Sequence, residues 1–184
     1  MTLWIAVVAM LVTQRAQADE LGRAVRLEGG LFGPLGEGGI LYSEPFGSSA
    51  AVEAGVGGGI TGYQFPILFR FLFGPGPGRT TAAAGLSLSV LPEKDRGNLY
   101  NDESVGGERV RYGAMYAVWL NLEGGYEHRV RHGFDFLAAG GVGLPVATNA
   151  THRHSECCDF LDTENWVADR TPAPYVRVGF GWAF

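Results

Sequence analysis

Lysine is almost missing from this chain. Lys94 is the only one, and arginine carries the rest of the side-chain positive charge. Charged residues make up 18% of the 184 residues, with a formal net charge of -5. So acidic a chain is a poor match for a phosphate backbone, so nucleic acid is excluded as the expected partner. The charged fraction is also low for the surface of a soluble domain. Long apolar runs are missing too: beyond the N-terminal region, no stretch is long enough to cross a bilayer as a helix. Cysteine is limited to the adjacent pair Cys157 and Cys158. Neighbouring Cα atoms lie about 3.8 Å apart, below the usual disulfide span, so a bridge between them would be strained. An intermolecular bridge and a surface thiol pair both stay open.

Glycine, by contrast, is abundant, at 29 residues. Low charge, high glycine and no helical span suit a membrane-spanning β-barrel. The N-terminus fits export. Leu3 to Val12 is an apolar run of signal-peptide length, and Ala16-Gln17-Ala18 gives a small-x-small cleavage pattern. Arg15 lies on the wrong side of the run for a typical signal, and a first core element is the competing reading. The expected division is a signal peptide over 1–18 and a β-barrel over 19–184.

Strand signals are clearest near the C-terminus. Val176, Val178, Phe180, Trp182 and Phe184 occupy one parity, and Tyr175, Arg177, Gly179, Gly181 and Ala183 the other. Such period-2 alternation marks a strand with one bulky apolar face. The pattern repeats over 133–147, 112–130 and 80–91, where the apolar face carries no charge and the opposite face holds Glu123, Glu127, Arg129 and Asp135. Upstream, Phe65, Ile67, Phe69, Phe71 and Phe73 oppose Arg70, while Val25 and Leu27 alternate with Arg26 and Glu28. The reading gives eight strands, at about 24–33, 39–45, 50–61, 64–73, 79–92, 110–130, 133–147 and 173–184. The second is weak and is included mainly because barrels of this kind have an even count. Connections alternate between short turns and longer loops, notably 93–109 and 148–172. That asymmetry places both termini on the periplasmic side.

Periodicity alone does not tell inside from outside. A soluble β-sandwich or lipocalin-like barrel would use the apolar face as its core. The opposite face, rich in Gly, Ala and Ser, instead suits the narrow interior of an eight-stranded barrel. Tyr126, Phe134, Phe136, Trp182 and Phe184 fall at one end of three adjacent strands, where an aromatic girdle belongs. A final Phe with aromatic or aliphatic residues at every second position before it resembles the C-terminal assembly signal of bacterial outer-membrane proteins. In layout the chain therefore resembles the OmpA/OmpX-like group of small outer-membrane β-barrels. The specific part is Tyr175 to Phe184 with the two preceding strands.

The resemblance implies an all-β, eight-stranded antiparallel up-and-down transmembrane barrel in the outer membrane of a Gram-negative bacterium. Outer-membrane lipids and the barrel-assembly machinery are the implied partners, with loops 93–109 and 148–172 as candidate surfaces for an extracellular partner. The group includes anchors, adhesins, transporters of small apolar compounds and lipid A-modifying enzymes. A structural or surface-interaction role with a plugged lumen is the expectation. A lipid A-modifying enzyme and a narrow channel or transporter are the alternatives.

Candidate functional residues are the inward charges. Arg26, Arg70, Arg129 and Arg177 share parity with Glu28, Glu53, Glu123 and Glu127, four Arg against four Glu. Isolated buried charges are costly, so these should pair and block the lumen. Val176, Val178, Phe180, Trp182 and Phe184 are the expected assembly signal and girdle. The loop holding His152, His154, Cys157 and Cys158 matches no standard zinc spacing and reads as a polar surface loop, with metal binding as the sharper alternative. Catalysis is not expected. The deacylases of the resembled group carry a His-x-Ser motif, whereas His154 and Ser155 are adjacent. His128 is expected to face lipid at the periplasmic end. No cofactor is expected.

Overall fold

A computed structural model describes residues 21–59, 62–91, 115–149 and 170–184. The expected signal peptide, most of the two long loops, and His152, His154, Cys157 and Cys158 lie outside the described residues. Eight strands follow one another: β1 (Ala24–Gly33), β2 (Gly36–Phe46), β3 (Ala50–Gly59), β4 (Gly62–Phe73), β5 (Gly78–Leu91), β6 (Met115–Arg129), β7 (Gly133–Thr148) and β8 (Ala173–Ala183). Each pairs antiparallel with its sequence neighbour, and β1 pairs with β8 to close the barrel. Closure removes the edges that an open sheet would expose.

The weakest expected strand, 39–45, runs longer than its side chains suggested, over Gly36–Phe46. Gly36, Gly38 and Gly39 give no apolar alternation to read. Their backbones nonetheless join the ladders to β1 and β3. Strand β3 is described to Gly59 and β6 from Met115; residues 60, 61 and 110–114 of the expected strands lie outside the described residues.

The ladder is interrupted at two places where a proline stands. Pairing of β3 with β4 jumps from Ala54↔Ile67 to Gly57↔Gln64, across Pro66. Pairing of β6 with β7 shifts between Val118 and Trp119, and Trp119 lies opposite Pro145. Proline has no N–H to donate, so a ladder breaks or bulges around it.

The polarity of the barrel is inverted relative to a protein with an apolar core. The inward parity is buried and holds Arg26, Glu28, Glu53, Arg70, Glu123, Glu127, Arg129, Asp135 and Arg177. The outward parity exposes Leu27, Ile40, Ile67, Phe73, Val176 and Trp182, among other large apolar side chains. The soluble-barrel expectation, with the bulky face inside, is therefore not what this chain builds.

Arg23 and Phe184 meet at one end of the barrel, here the terminal end. Arg23 N donates to Phe184 O at 3.0 Å, and Phe184 N to Arg23 O at 2.8 Å. At this end Phe134 lies opposite Trp182 and Phe136 opposite Phe180. The rings of Phe136 and Phe180 stand 5.2 Å apart at 47°. The opposite end is here the far end.

Candidate functional site

The inward charges come from six strands. Arg26 and Glu28 stand on β1, Glu53 on β3, Arg70 on β4, Glu123, Glu127 and Arg129 on β6, Asp135 on β7 and Arg177 on β8. Alternation points each inward, and the small cross-section brings them together.

Two guanidinium forks organise the centre. Arg70 donates through Nε to Glu53 Oε1 at 2.9 Å and through Nη2 to Glu53 Oε2 at 2.8 Å. Arg177 donates through Nε to Glu123 Oε2 at 3.0 Å and through Nη2 to Glu123 Oε1 at 2.6 Å. Two-point pairing of this kind is strong and fixes orientation as well as charge. The forks are cross-linked, because Arg70 Nη2 also reaches Glu123 Oε1 at 2.5 Å. Arg177 Nη1 bonds Glu28 as well. Neutral groups complete the set: Arg70 Nη1 donates to Thr81 Oγ1 at 3.0 Å, and Tyr175 OH to Glu123 Oε2 at 3.0 Å.

Arg26 is the hub nearer the terminal end. It bonds Glu53 through Nη2, Glu28 Oε1 through Nε at 3.0 Å, and Asp135 Oδ2 through Nη1 at 3.3 Å. Glu127 Oε2 lies 3.5 Å from the same Nη1. Arg129 is the outermost cation. It donates to Ser43 Oγ at 2.9 Å and Gly22 O at 3.2 Å. Its Nε stands 2.7 Å from Glu127 Oε1. That contact is off the hydrogen-bond direction, so both atoms lack a hydrogen-bond partner and the attraction is purely coulombic.

All eight expected lumen residues thus lie inside the barrel and touch one another. The expected balance of four against four misses a fifth acid, Asp135, which is fully buried and bonded to Arg26. Its parity signalled this, since it lies opposite Arg129 across the β6–β7 ladder. Asp135 Oδ1 has no partner. Tyr175, Thr81 and Ser43 also join the network, and nothing but their inward parity hinted at it.

Small residues leave room for these long side chains. A Cβ on Gly179 would stand 2.8 Å from Glu28 Cγ, so any larger residue there would displace a carboxylate.

Toward the far end the inward groups turn neutral. Trp119 Nε1 donates to Ser89 Oγ at 2.8 Å, and Ser89 Oγ to Gln64 Oε1 at 2.8 Å. Asn121 Nδ2 donates to Ser87 Oγ at 3.0 Å.

On the outer wall a groove of about 530 Å³ runs between Phe65, Ile67 and Phe69 of β4 and Ala84, Leu86 and Leu88 of β5. His128 is partly exposed on the outward parity near the terminal end, with no nucleophile beside it on its strand. Among the described residues no group of three or more His, Cys, Asp or Glu is placed to hold a metal ion.

No protein-family model matches this chain, and no curated protein matches it significantly.

Proposed function

We propose that this protein is an integral outer-membrane β-barrel with a structural or surface-interaction role, its lumen plugged by ion pairs, and that it is not an enzyme. The observation that carries the reading is the inverted polarity. A closed sheet that hides nine charged side chains and exposes a belt of Phe, Leu, Ile and Val suits hydrocarbon outside it, not water. The aromatic residues at the terminal end, Tyr126, Phe134, Trp182 and Phe184, suit an interfacial girdle on the periplasmic side. In this reading the expected loops 93–109 and 148–172 offer contact to an extracellular partner. The outer groove on β4 and β5 is filled by acyl chains in this reading.

A plug rather than a pore follows from the pairing. An ion crossing the lumen would have to part guanidinium forks in a low-dielectric space. The test is refolding of the full chain into lipid vesicles, followed by planar-bilayer recording. We expect heat-modifiable, protease-resistant protein that floats with the vesicles and shows no steady conductance. Failure to associate with lipid would overturn the membrane reading. A stable, ion-selective current would overturn the plug and favour the channel alternative. Lipid A mass spectra of cells with and without the protein should be identical; a changed acylation pattern would bring back the enzyme alternative.

A further inference from the structure

The tip of the β1–β2 hairpin departs from the pattern of every other described turn. Alternation along β1 stops at the rim. Leu31 and Phe32 are both exposed, and the next four residues, Gly33, Pro34, Leu35 and Gly36, are all buried. The change of direction occurs at Phe32, whose φ of 58° lies in the left-handed region that aromatic residues rarely adopt. The tip thereby folds over the rim and into the lumen. Leu35 is 3% exposed, and its Cδ2 stands 3.1 Å from where a Cβ would sit on Gly39 and on Gly55, two inward positions of β2 and β3. The absent side chains form its seat. Below it, Leu35 borders a recess shared with Glu28, Gly30 and Arg177 that has no room for water.

We infer that this tip, with Leu35 as its stopper, is a movable closure of the lumen, in series with the ion-pair network and able to lift without disturbing it. Three features distinguish it from the network. Its seat is apolar and holds one leucine and one proline. The ladders beside it are irregular, with register shifts between Gly29 and Gly33 in β1–β2 and between Gly36 and Gly38 in β2–β3, so the tip joins its neighbours through the Gly33↔Gly36 and Gly36↔Gly58 pairs rather than through continuous ladders. The conformation of Phe32 stores strain that lifting would release. A lifted tip opens a vestibule from the far end that stops at the Glu28–Arg177 pair. It admits small polar solutes to that depth and lets none through.

The test is thiol labelling of the folded full chain in detergent micelles, with Cys157 and Cys158 changed to Ser. Single cysteines are placed at three depths: Phe32→Cys on the exposed tip, Leu35→Cys on the stopper and Leu41→Cys on the buried inward face of β2. Reaction with a bulky maleimide should fall at least ten-fold from Phe32→Cys to Leu35→Cys, and at least ten-fold again to Leu41→Cys. Adding Phe32→Gly to Leu35→Cys removes the strain and should slow labelling about five-fold or more. If Leu35→Cys reacts as fast as Phe32→Cys, the tip is not seated. If it reacts only as fast as Leu41→Cys, the tip opens only with the barrel. Either result, or no slowing by Phe32→Gly, overturns the inference. Should Leu41→Cys fail to fold, Leu68→Cys on β4 serves as the deep reference. Because the labelling is done in detergent, it reads the tip whether or not the membrane reading holds; vesicle flotation reports on that separately.

Discussion

Near the termini and through the middle of the lumen, nine charged side chains from six strands fill the barrel. At the far end of the β1–β3 side, the inward positions include Gly39, Gly55 and Gly57, and one leucine fills the space. Both regions exclude water, but by unlike means. The network depends on the mutual presence of opposite charges, so losing a shared partner leaves the charges that face it short of one. The stopper depends on apolar contact with backbone, which is weaker and local. In a barrel this narrow, removing one group should have global consequences in the first region and limited ones in the second.

The largest expected effect breaks the first region. Arg177→Leu removes a partner that Glu123 and Glu28 share and leaves five buried acids facing three arginines, which should destabilise the barrel by about 3–5 kcal/mol in urea unfolding. Replacing Arg177 and Glu123 together should cost less than the two single changes summed, and a double-mutant cycle measures that coupling. Glu53→Gln belongs in the same class, because Glu53 accepts from Arg26, Arg70 and Arg177. The second region gives the intermediate effect. Leu35→Ala should cost about 2 kcal/mol, the low end for a buried leucine, because the tip can settle around the loss. Hydrogen exchange should rise at the β1–β2 tip and stay unchanged in β5–β8. A loss that spreads to β5–β8 would erase the contrast between the regions.

The smallest effect sharpens the contrast within the network. Asp135 is the acid beyond balance, with a single hydrogen bond to Arg26 and a bare Oδ1. Asp135→Asn keeps the shape and leaves four arginines facing four carboxylates. Its unfolding midpoint should therefore stay within about 1 kcal/mol of the wild type, well below the effect of Glu53→Gln. An equal loss for the two would mean that position in the network, rather than charge count, decides the cost.

Much of this was legible in the sequence where side chains carry the alternation. Phe65 to Phe73, and Val176 to Trp182, state their own parity, and that parity placed Arg70 and Arg177 inside. Parity does not say which inward residues meet, because the register around the barrel decides it. Glu123 receives Arg70 from β4 and Arg177 from β8, two contacts that spacing along the chain does not encode. Asp135 stands on the inward parity of β7, but nothing in the spacing along the chain shows that it reaches Arg26 on β1. Where glycine replaces side chains the signal vanishes. Strand β2 reads short for that reason, and Leu35, inside an apparent turn, gives no hint of pointing inward. That direction is set by one unusual backbone angle at Phe32.

The seam between β1 and β8 has a consequence for the order of events during biogenesis. Ala24 stands opposite Ala183, so the first described strand waits for the last one to be delivered. All other ladders join consecutive strands and can form locally, whereas this one closes the longest loop in the molecule. Until β8 docks, β1 and β7 each present an unpaired edge. A chain ending before residue 173 would keep both edges open permanently. It should accumulate as oligomers in the presence of a second copy, at a rate that rises with concentration, while the full-length chain seals itself.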